Sequence, residues 1–372
     1  MFKIPEKTEY VIKKLTQNGF EAYIVGGCVR DILLLKAPHD YDITTSATPD
    51  EIMTVFDKTI PTGIKHGTVT VLIEGEPIEV TTFRCDGDYL DSRHPQNVKF
   101  VRNLKEDLSR RDFTVNAMAY NNESGLCDLF GGQEDLKAKI LRAVGDPETR
   151  FKEDALRILR LFRFASTLNF KIEEKTFNAA IKCAPLVSKV SVERIMTELK
   201  TAVLGENFKV IKPLIDCGAL SFLGLDTCPD FQKISKHKES PLLCLYLLFQ
   251  GNIKTDLKLS NIEKDFINGI NRLKKIPSPK TKADIKRCLA VTNENITRQF
   301  LTLLDISCEV LDEILQNREP YLIGHLKITG NDLLSLGYKG EEVGEILKTL
   351  QNEVIENPTQ NTKARLLNLI TK

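Results

Sequence analysis

The chain has 372 residues, of which 42% are hydrophobic, and its 52 basic and 51 acidic side chains give a net charge of +1. This composition excludes a disordered chain, and the length accommodates two to four domains. Because the net charge is close to zero, any nucleic-acid surface must be a local patch rather than a global field.

Cysteine and hydrophobic patterns indicate the compartment. The nine cysteines are scattered without a Cys-x-x-Cys pair, which favours a reducing cytosol over a disulfide framework. Residues 1 to 6 lack the apolar core of a signal peptide, and the apolar run 242–249 is too short to span a bilayer. We therefore expect a soluble, cytoplasmic protein without membrane contact. The five histidines show no zinc-protease or His-Asp phosphohydrolase spacing.

The first predicted elements lead into a glycine turn. Residues 5 to 18 have helical periodicity, and the apolar run 22–25 is typical of a buried strand. The pair Gly26-Gly27 follows, and glycines let main-chain N–H groups approach a phosphate closely. Together with Arg30, this turn is a candidate triphosphate site, whereas a glycine pair alone is often only a turn.

Two aspartates form the second half of this candidate site. Asp40 and Asp42 lie in an alternating pattern that predicts a strand with both carboxylates on one face. Such a pair is tolerated best around a hard cation, and Mg²⁺ binds one or two carboxylates plus substrate phosphates. The order of the glycine turn, Arg30 and the aspartates therefore predicts a nucleotidyl-transfer site, in place of the simpler reading of a solvated strand end.

A capping box at residues 48–51 predicts a helix through residue 56, and the runs 69–73 and 78–83 predict a β-hairpin. Glu79 in the second strand is either a third carboxylate at the metal or, with higher weight, a solvated strand residue. Residues 84 to 95 are polar and predict a mobile loop.

A helical pattern from residue 104 to residue 120 contains Arg110-Arg111-Asp112 at its centre. One arginine can face a ribose or phosphate while the other pairs with an acid, although a surface arginine pair is the simpler interpretation of this motif alone. Residues 126 to 132 predict a last strand and turn, followed by a helix from Glu134. Residues 144 to 147 then end the mixed α/β part, and successive helices follow, with breaks near residues 205, 218, 229, 277–279, 320 and 330.

The first of these later helices is predicted from residue 150 or 151 through residue 165. It carries the charged residues Glu153, Asp154, Arg157, Arg160 and Arg163, and it is apolar almost all round. Buried charges must be paired or face a polar ligand. Asp154 and Arg157 could present an acceptor and fixed donors to a nucleobase edge, or the set could be a structural salt-bridge ladder.

Three downstream segments are weaker signals. We interpret residues 191–199, with Glu193, Arg194 and Glu198, as a structural link between helices. Residues 251–290 hold ten basic against four acidic side chains and could follow an RNA backbone or form a solvated face. Glycines between residues 330 and 344 cluster at two helix starts, which are candidate phosphate contacts.

In combination these motifs resemble the class II tRNA nucleotidyltransferases, which comprise the bacterial CCA-adding enzymes and their poly(A) polymerase relatives. The matching motifs are Gly-Gly-x-Val-Arg-Asp at 26–31, Asp-x-Asp at 40–42, Arg-Arg-Asp-Phe-Thr at 110–114, Glu-Asp-x-x-Arg at 153–157 and Glu-Arg at 193–194. The resemblance implies an α+β fold: a polymerase-beta-like nucleotidyltransferase head with a mixed β-sheet at 1–145. A helical neck with a nucleobase-recognition helix at 146–205 and a tRNA-binding helical body and tail at 206–372 would follow.

Carried over position by position, the resemblance implies that Asp40 and Asp42 are catalytic and bind Mg²⁺. It implies that Gly27, Arg30 and Arg111 contact the nucleotide, that Asp154 and Arg157 read the base, and that Arg160 and Arg163 complete the pocket. The expected reaction is template-independent addition of C, C and A from CTP and ATP. The expected partner is the 3′ end and the acceptor and elbow region of tRNA, and the oligomeric state stays open.

Several alternatives remain at this stage. A CC-adding enzyme would lack the mobile loop that residues 84 to 95 supply here with Asp91 and Arg93, and a bacterial poly(A) polymerase usually carries a basic extension. An A-adding enzyme has nearly the same head. From other classes, a non-catalytic RNA-binding protein would lose Asp40 or Asp42, and a small-molecule nucleotidyltransferase needs no such long helical tail.

Overall fold

The computed structural model describes residues 2–86, 98–251 and 257–370. The chain forms two compact units, Met1–Lys238 and Glu239–Lys372. The predicted boundaries at 145 and 205 both fall inside the first unit, and they stay a prediction. In the described part of the chain, no helix is long and apolar enough to cross a membrane.

The first unit contains a seven-stranded sheet in the order β3-β4-β5-β2-β1-β8-β9. It is mixed, because β2 and β5 run parallel while the other neighbours are antiparallel. Two short two-stranded sheets, β6-β7 and β10-β11, lie outside it. The strands are β1 (Ala22–Val25), β2 (Ile43–Thr45), β3 (Thr59–Gly63), β4 (Thr68–Ile73), β5 (Glu76–Thr82), β6 (Arg84–Asp86), β7 (Val98–Phe100), β8 (Met118–Asn121), β9 (Gly125–Asp128), β10 (Ile140–Leu141) and β11 (Lys171–Ile172).

Eleven α-helices of this unit are described. They are α1 (Glu6–Gln17), α2 (Gly27–Leu33), α3 (Pro49–Val55), α4 (Leu104–Ser109), α5 (Gly132–Ala138), α6 (Pro147–Glu153), α7 (Leu156–Leu168), α8 (Glu174–Cys183), α9 (Val192–Ala202), α10 (Lys212–Asp216) and α11 (Phe231–Lys236). The predicted fold class, a mixed-sheet head followed by helices, is confirmed.

The second unit is helical throughout its described residues. Its helices are α12 (Pro241–Leu248), α13 (Asn261–Leu273), α14 (Lys282–Val291), α15 (Glu294–Leu303), α16 (Glu309–Gln316), α17 (Gly330–Ser335), α18 (Glu341–Glu356) and α19 (Lys363–Ile370). One apolar cluster is built around Ile285, Leu301 and Leu311, and another around Leu333 and Leu350.

Local signals with a specific chemistry predicted their elements well. Thr48 and Glu51 form the expected capping box, with Pro49 in the first turn of α3. The β4-β5 hairpin closes through Glu74 and Gly75, whose φ angles of 51° and 86° fit the type I′ turn favoured in two-residue hairpins.

The predicted helix from residue 104 to residue 120 is wrong. It ends at Ser109, the motif Arg110 to Asp112 lies in the following turn, and Met118–Asn121 is β8. All four residues of β8 are buried, and a strand buried on both faces lacks the alternation that distinguishes it from a helix.

The predicted continuous helix from residue 150 to residue 165 is also wrong. It is divided into α6 and α7 at Asp154, whose backbone is extended with φ −137° and ψ 104°. The Oδ1 atom of Asp154 accepts the N–H of Leu156 at 3.0 Å, so the aspartate caps the start of α7. Aspartate favours such positions because its short side chain competes for backbone N–H groups.

The polar loop predicted from residue 84 to residue 95 begins instead in a strand. Arg84–Asp86 forms β6, which pairs antiparallel with β7. The remainder of that prediction, including Asp91 and Arg93, lies outside the described residues.

Candidate functional site

The glycine turn after β1 brings the backbone close to an arginine. Gly26 has φ 80°, and a Cβ atom built on it would lie 2.9 Å from Nη1 of Arg111. A larger side chain would therefore be strained and would collide with the guanidinium. Gly27 begins α2 directly behind this turn.

The two aspartates lie together, although not in the predicted strand. β2 begins at Ile43, and Asp40 and Asp42 lie in the irregular segment that leads into it. The carbonyl of Asp42 accepts the N–H of Val25 at 3.0 Å, which ties this segment to the end of β1. Both aspartates line a cavity of about 760 Å³ together with Glu79, an exposed residue of β5.

The electrostatics of this cavity favour a cation. Burial raises the pKa of Asp42, and the neighbouring carboxylates of Asp40 and Glu79 raise it further, while the Arg111 guanidinium lowers it. Oxygen ligands of this kind suit a hard divalent cation. The described residues hold no cluster of three or more His, Cys, Asp or Glu side chains that could hold a metal ion.

Arg30 is largely buried beside this site, with 9% of its surface exposed. Its Nη1 donates to Oδ1 of Asn116 at 2.7 Å, and its Nε donates to Asp31 at 2.8 Å. The guanidinium carbon lies 5.2 Å from the ring centroid of Phe164 on α7. Arg30 is therefore held by side chains from three parts of the first unit.

Arg111 is oriented by a buried aspartate that the sequence analysis missed. Its Nη2 lies 3.3 Å from Oδ2 of Asp107, and Asp107 also accepts Nη2 of Arg110 at 2.6 Å. Burial alone would raise the pKa of Asp107, but the Arg111 and Arg110 guanidiniums hold it below its usual value. The spacing of three and four residues before the two arginines is the sequence signal that could have identified Asp107.

One donor of Arg111 has no partner. In the part of the chain that the structure describes, its Nε is buried without a hydrogen-bond acceptor. Orphaned buried donors are rare in proteins and mark sites of strain or of a missing ligand.

Asp154 and Arg157 make no ion pair with each other. Oδ2 of Asp154 accepts Nη2 of Arg194 on α9 at 3.0 Å. Arg157 has 8% of its surface exposed, and its guanidinium donates to Oε2 of Glu153 and to the carbonyl of Arg110, both at 2.8 Å. These hydrogen bonds and ion pairs are those expected if the charged residues form a structural salt-bridge ladder. Recognition of a nucleobase by Asp154 and Arg157 stays a prediction.

Arg160 and Arg163 gather around one aromatic ring. Arg160 donates through Nε to Asp112 at 2.8 Å, and Arg163 pairs with Glu198. Their guanidinium carbons lie 5.4 Å and 3.8 Å from the centroid of Phe164. Arg194 and Glu198 on α9 therefore pair with Asp154 and with Arg163 on α7, and the structural role of the segment with Glu193 stays a prediction.

The charges in this cluster are balanced by carboxylates. Burial would raise the pKa of Asp112, but Arg160 and further hydrogen bonds bring it to about 2. The pKa of Arg163 is lowered, chiefly by burial and also by the like charge of Arg160. An anionic ligand near these guanidiniums would relieve their mutual repulsion.

Comparison with known families matches two parts of the first unit. Residues 22–142 match the model of the poly A polymerase head domain. Residues 169–228 match the model described as the probable RNA and SrmB-binding site of polymerase A. The first match contains the glycine turn, the aspartates and Arg111.

Full-length relatives extend this similarity. The chain is 39% identical over 400 residues to a CCA-adding enzyme of Lactococcus lactis subsp. cremoris strain MG1363, covering 100% of this chain and 98% of the relative. It is 38% identical to the CCA-adding enzyme of Staphylococcus haemolyticus over 96% of this chain and 95% of the relative. The crystal structure of the Bacillus stearothermophilus CCA-adding enzyme in complex with CTP is 32% identical, with a TM-score of 0.81 over 99% of this chain and 98% of that chain.

Proposed function

The chain belongs to the family of the CCA-adding enzymes, and from this premise we propose that it adds C, C and A to the 3′ end of tRNA from CTP and ATP, releasing pyrophosphate. The predicted polymerase-beta-like head and nucleotidyltransferase class are both confirmed by these relatives. The observation that carries the reaction is the grouping of Asp40 and Asp42 beside the glycine turn, Arg111 and the buried Arg30.

Asp40 and Asp42 would hold Mg²⁺, because the pair offers carboxylate oxygens and an unfavourable charge that a divalent cation neutralises. When bound, the metal supplies activation of the tRNA 3′ hydroxyl and neutralisation of the leaving pyrophosphate. The residues of the chain bind and orient the reactants. Glu79 adds negative charge from β5 at the same cavity.

The nucleotide would lie between the glycine turn and α7. Gly27 and Arg30 would contact the triphosphate, since the turn leaves room for phosphates and Arg30 is a fixed donor. Arg111 would contact the ribose or phosphates, and its orphaned Nε supports a ligand there. Asp154 and Arg157 would read the base edge.

Arg160 and Arg163 would complete the same pocket. Both guanidiniums are held beside Phe164 by carboxylates, so they are ordered before a nucleotide arrives. Preorganised donors of this kind cost little reorganisation on binding.

The helical second unit would contact the acceptor and elbow region of tRNA. The predicted basic segment, described from residue 257 onward, includes the exposed side chains of Lys264, Arg272 and Lys275. Gly330 begins α17 and Gly340 precedes α18, so glycines lie at the starts of both helices, as predicted. We place the enzyme in the cytoplasm, where tRNA and nucleoside triphosphates meet.

Full CCA addition is favoured over the single-step alternatives by the full-length similarity to CCA-adding enzymes. An A-adding, CC-adding or poly(A) polymerase activity of the same family is distinguished by its products. A non-catalytic RNA-binding role would not need the paired aspartates.

The test is incubation of the protein with tRNA ending at the discriminator base, with CTP, ATP or both, in the presence of Mg²⁺. We expect two residues from CTP alone and three from the mixture, and no extension by Asp40→Ala. A second tRNA that already ends in CC is tested in parallel: extension of this tRNA alone, by one A, would assign an A-adding enzyme, and a long A tail would assign a poly(A) polymerase. Binding of tRNA without extension by the wild type would overturn the catalytic proposal.

A further inference from the structure

A buried asparagine lies between the head and α7. Asn116 belongs to a short turn, Thr114–Asn116, that precedes β8, and 5% of its surface is exposed. Neither composition nor motif spacing singled it out. Its amide nevertheless contacts two charged groups of the candidate nucleotide site.

The two ends of this amide have different partners. Oδ1 accepts Nη1 of Arg30 at 2.7 Å, and Nδ2 donates to Oδ1 of Asp112 at 3.1 Å. The other oxygen of Asp112 accepts Nη2 of Arg160 at 2.7 Å. A continuous series of hydrogen bonds therefore runs from Arg30 through Asn116 and Asp112 to Arg160.

The chemistry of this series specifies an amide. The position facing Arg30 must accept a hydrogen bond, while the position facing Asp112 must donate one, and an asparagine side chain does both. A carboxylate would repel Asp112, and an apolar side chain would remove the acceptor of Arg30 Nη1 and one of the two hydrogen bonds to Oδ1 of Asp112, which also accepts the N–H of Phe113.

The aromatic ring of Phe164 supports the same arrangement from the other side. The guanidinium carbons of Arg30 and Arg160 lie 5.2 Å and 5.4 Å from its centroid. Phe164 is itself fixed by an edge-on contact with buried Phe113, with centroids 5.9 Å apart. Neither arginine can change its position on the ring without altering the hydrogen-bonded series.

We propose that Asn116 is a positioning residue that couples Arg30 in the head to Arg160 on α7, so that both guanidiniums are set together for one nucleotide. This inference deepens the proposed function and rests on it. Asn116 acts through the two arginines, and its contribution is to their shared orientation.

The experiment compares Asn116→Ala with a matched control, Asn121→Ala, in the full-length enzyme. Asn121 is another buried head asparagine with 5% exposure, but its side chain binds the carbonyl of Ala22 and backbone N–H groups of the β8-β9 turn. We expect both variants to melt earlier, and only Asn116→Ala to raise the KM for CTP and ATP, by about tenfold with kcat little changed.

Coupling is measured separately by a double-mutant cycle with Arg30→Lys and Arg160→Lys. In the wild-type background, the KM of the double variant should differ from the product of the single effects by about threefold or more. In the Asn116→Ala background, the KM of the Arg30→Lys, Arg160→Lys double variant should equal the product of the two single effects. If Asn116→Ala does not fold, the wild-type cycle decides alone, and multiplicative effects there overturn the proposal.

Other outcomes are equally decisive. A lowered melting temperature with unchanged nucleotide KM in Asn116→Ala would make the asparagine merely structural. Equal coupling in both backgrounds would also overturn the proposal. Failure of the wild type to extend tRNA would instead contradict the proposed function, so the two failures are distinguishable.

Discussion

At the scale of single residues, the site contains two carboxylates, Asp42 and Asp112, whose environments shift their pKa values in opposite directions. Partial burial and the neighbouring carboxylates of Asp40 and Glu79 raise the pKa of Asp42 and disfavour its ionised form, whereas Asp112 is stabilised as an anion by Arg160 and its hydrogen bonds. The first carboxylate is destabilising until a cation arrives, and the second contributes to folding. This difference leads to two predictions of opposite sign.

Asp42→Asn should abolish nucleotide transfer and raise the melting temperature of the metal-free protein at neutral pH. Because the folded-state pKa of Asp42 lies above its unfolded value, the folded protein binds the proton more tightly, and ionisation costs stability as pH rises through that range. Removing the charge removes this cost. Melting curves in a chelator at pH 7 check the prediction, which fails if the variant is less stable or still transfers CMP.

Asp112→Asn should destabilise the protein at pH 7 by about 2 kcal/mol, since a pKa lowered from 3.8 to about 2 corresponds to that order of free energy. The stabilisation by Asp112 is fully present above its unfolded pKa and is lost as pH falls from about 4 towards about 2. The difference in unfolding free energy between wild type and variant should therefore shrink between pH 6 and pH 3. A difference independent of pH would contradict the ion pair with Arg160.

At the scale of helices and strands, the sequence predicts elements where the local chemistry is specific. The capping box at Thr48 requires particular residues and is as expected, and the predicted hairpin is present, closing through Glu74 and Gly75. Prediction from the sequence fails where burial on both faces removes the hydrophobic alternation, as in β8, which was predicted to be part of a helix. It also fails at Asp154, because the apolar pattern continues across a capping residue that divides two helices.

The same reasons explain what could be predicted of the site. Asp40, Asp42 and Arg30 are recognisable because glycine, arginine and paired acids in this order are characteristic of phosphate and metal chemistry. Asn116 and Phe164 are not, because each contacts Arg30, which only the fold brings close, whereas the spacing of Asp107 from Arg110 and Arg111 could have identified it. Asn116, for example, lies 86 positions from Arg30.

The joint between α7 and the turn after α4 gives an element-scale prediction. Arg157→Lys should cost about 1 to 3 kcal/mol, because a single ammonium cannot reach both the Arg110 carbonyl and Glu153 as the buried guanidinium does. Arg142→Lys is the control: Arg142 also pairs with two acids but is 43% exposed, so its replacement should cost less. Urea denaturation measures both, and equal costs would contradict the importance of burial.

At the scale of the whole molecule, the nucleotide-site candidates and the predicted basic segment lie in different units, while residues 169–228, which match the RNA-binding family model, lie in the first unit. The nucleotide-site candidates all lie in Met1–Lys238, whereas the predicted basic segment lies in Glu239–Lys372. Electrostatic contacts to an RNA backbone weaken with salt in proportion to the number of phosphates neutralised. Charge changes in the second unit should therefore affect tRNA and not the free nucleotide.

A double variant of the second unit, Lys264→Glu with Lys275→Glu, should bind tRNA more weakly. Its affinity for tRNA should also depend less on salt, whereas its affinity for nucleotide should not change. Lys348→Glu on α18 is the control, because this exposed lysine lies outside the basic segment, on a helix that carries five glutamates. Filter binding of tRNA from 50 to 200 mM salt provides the comparison. Equal losses in the double variant and the control would remove the basic segment from the tRNA interface.

The central claim is that protein side chains, rather than a nucleic-acid template, select the base, and Asp154→Ala tests it most directly. The measurement is incorporation of each of the four nucleotides into tRNA, with melting temperature recorded beside it. Arg194→Ala is the matched control, because it breaks the same 3.0 Å ion pair while leaving the Asp154 carboxylate in place.

We expect both variants to melt earlier, and Asp154→Ala alone to raise misincorporation of UTP and GTP relative to CTP and ATP by about tenfold or more, since a lost hydrogen bond to the base is worth about 1 to 3 kcal/mol of discrimination. Unchanged incorporation ratios in Asp154→Ala, with a lowered melting temperature, would contradict the claim and make Asp154 only the cap of α7 and the partner of Arg194.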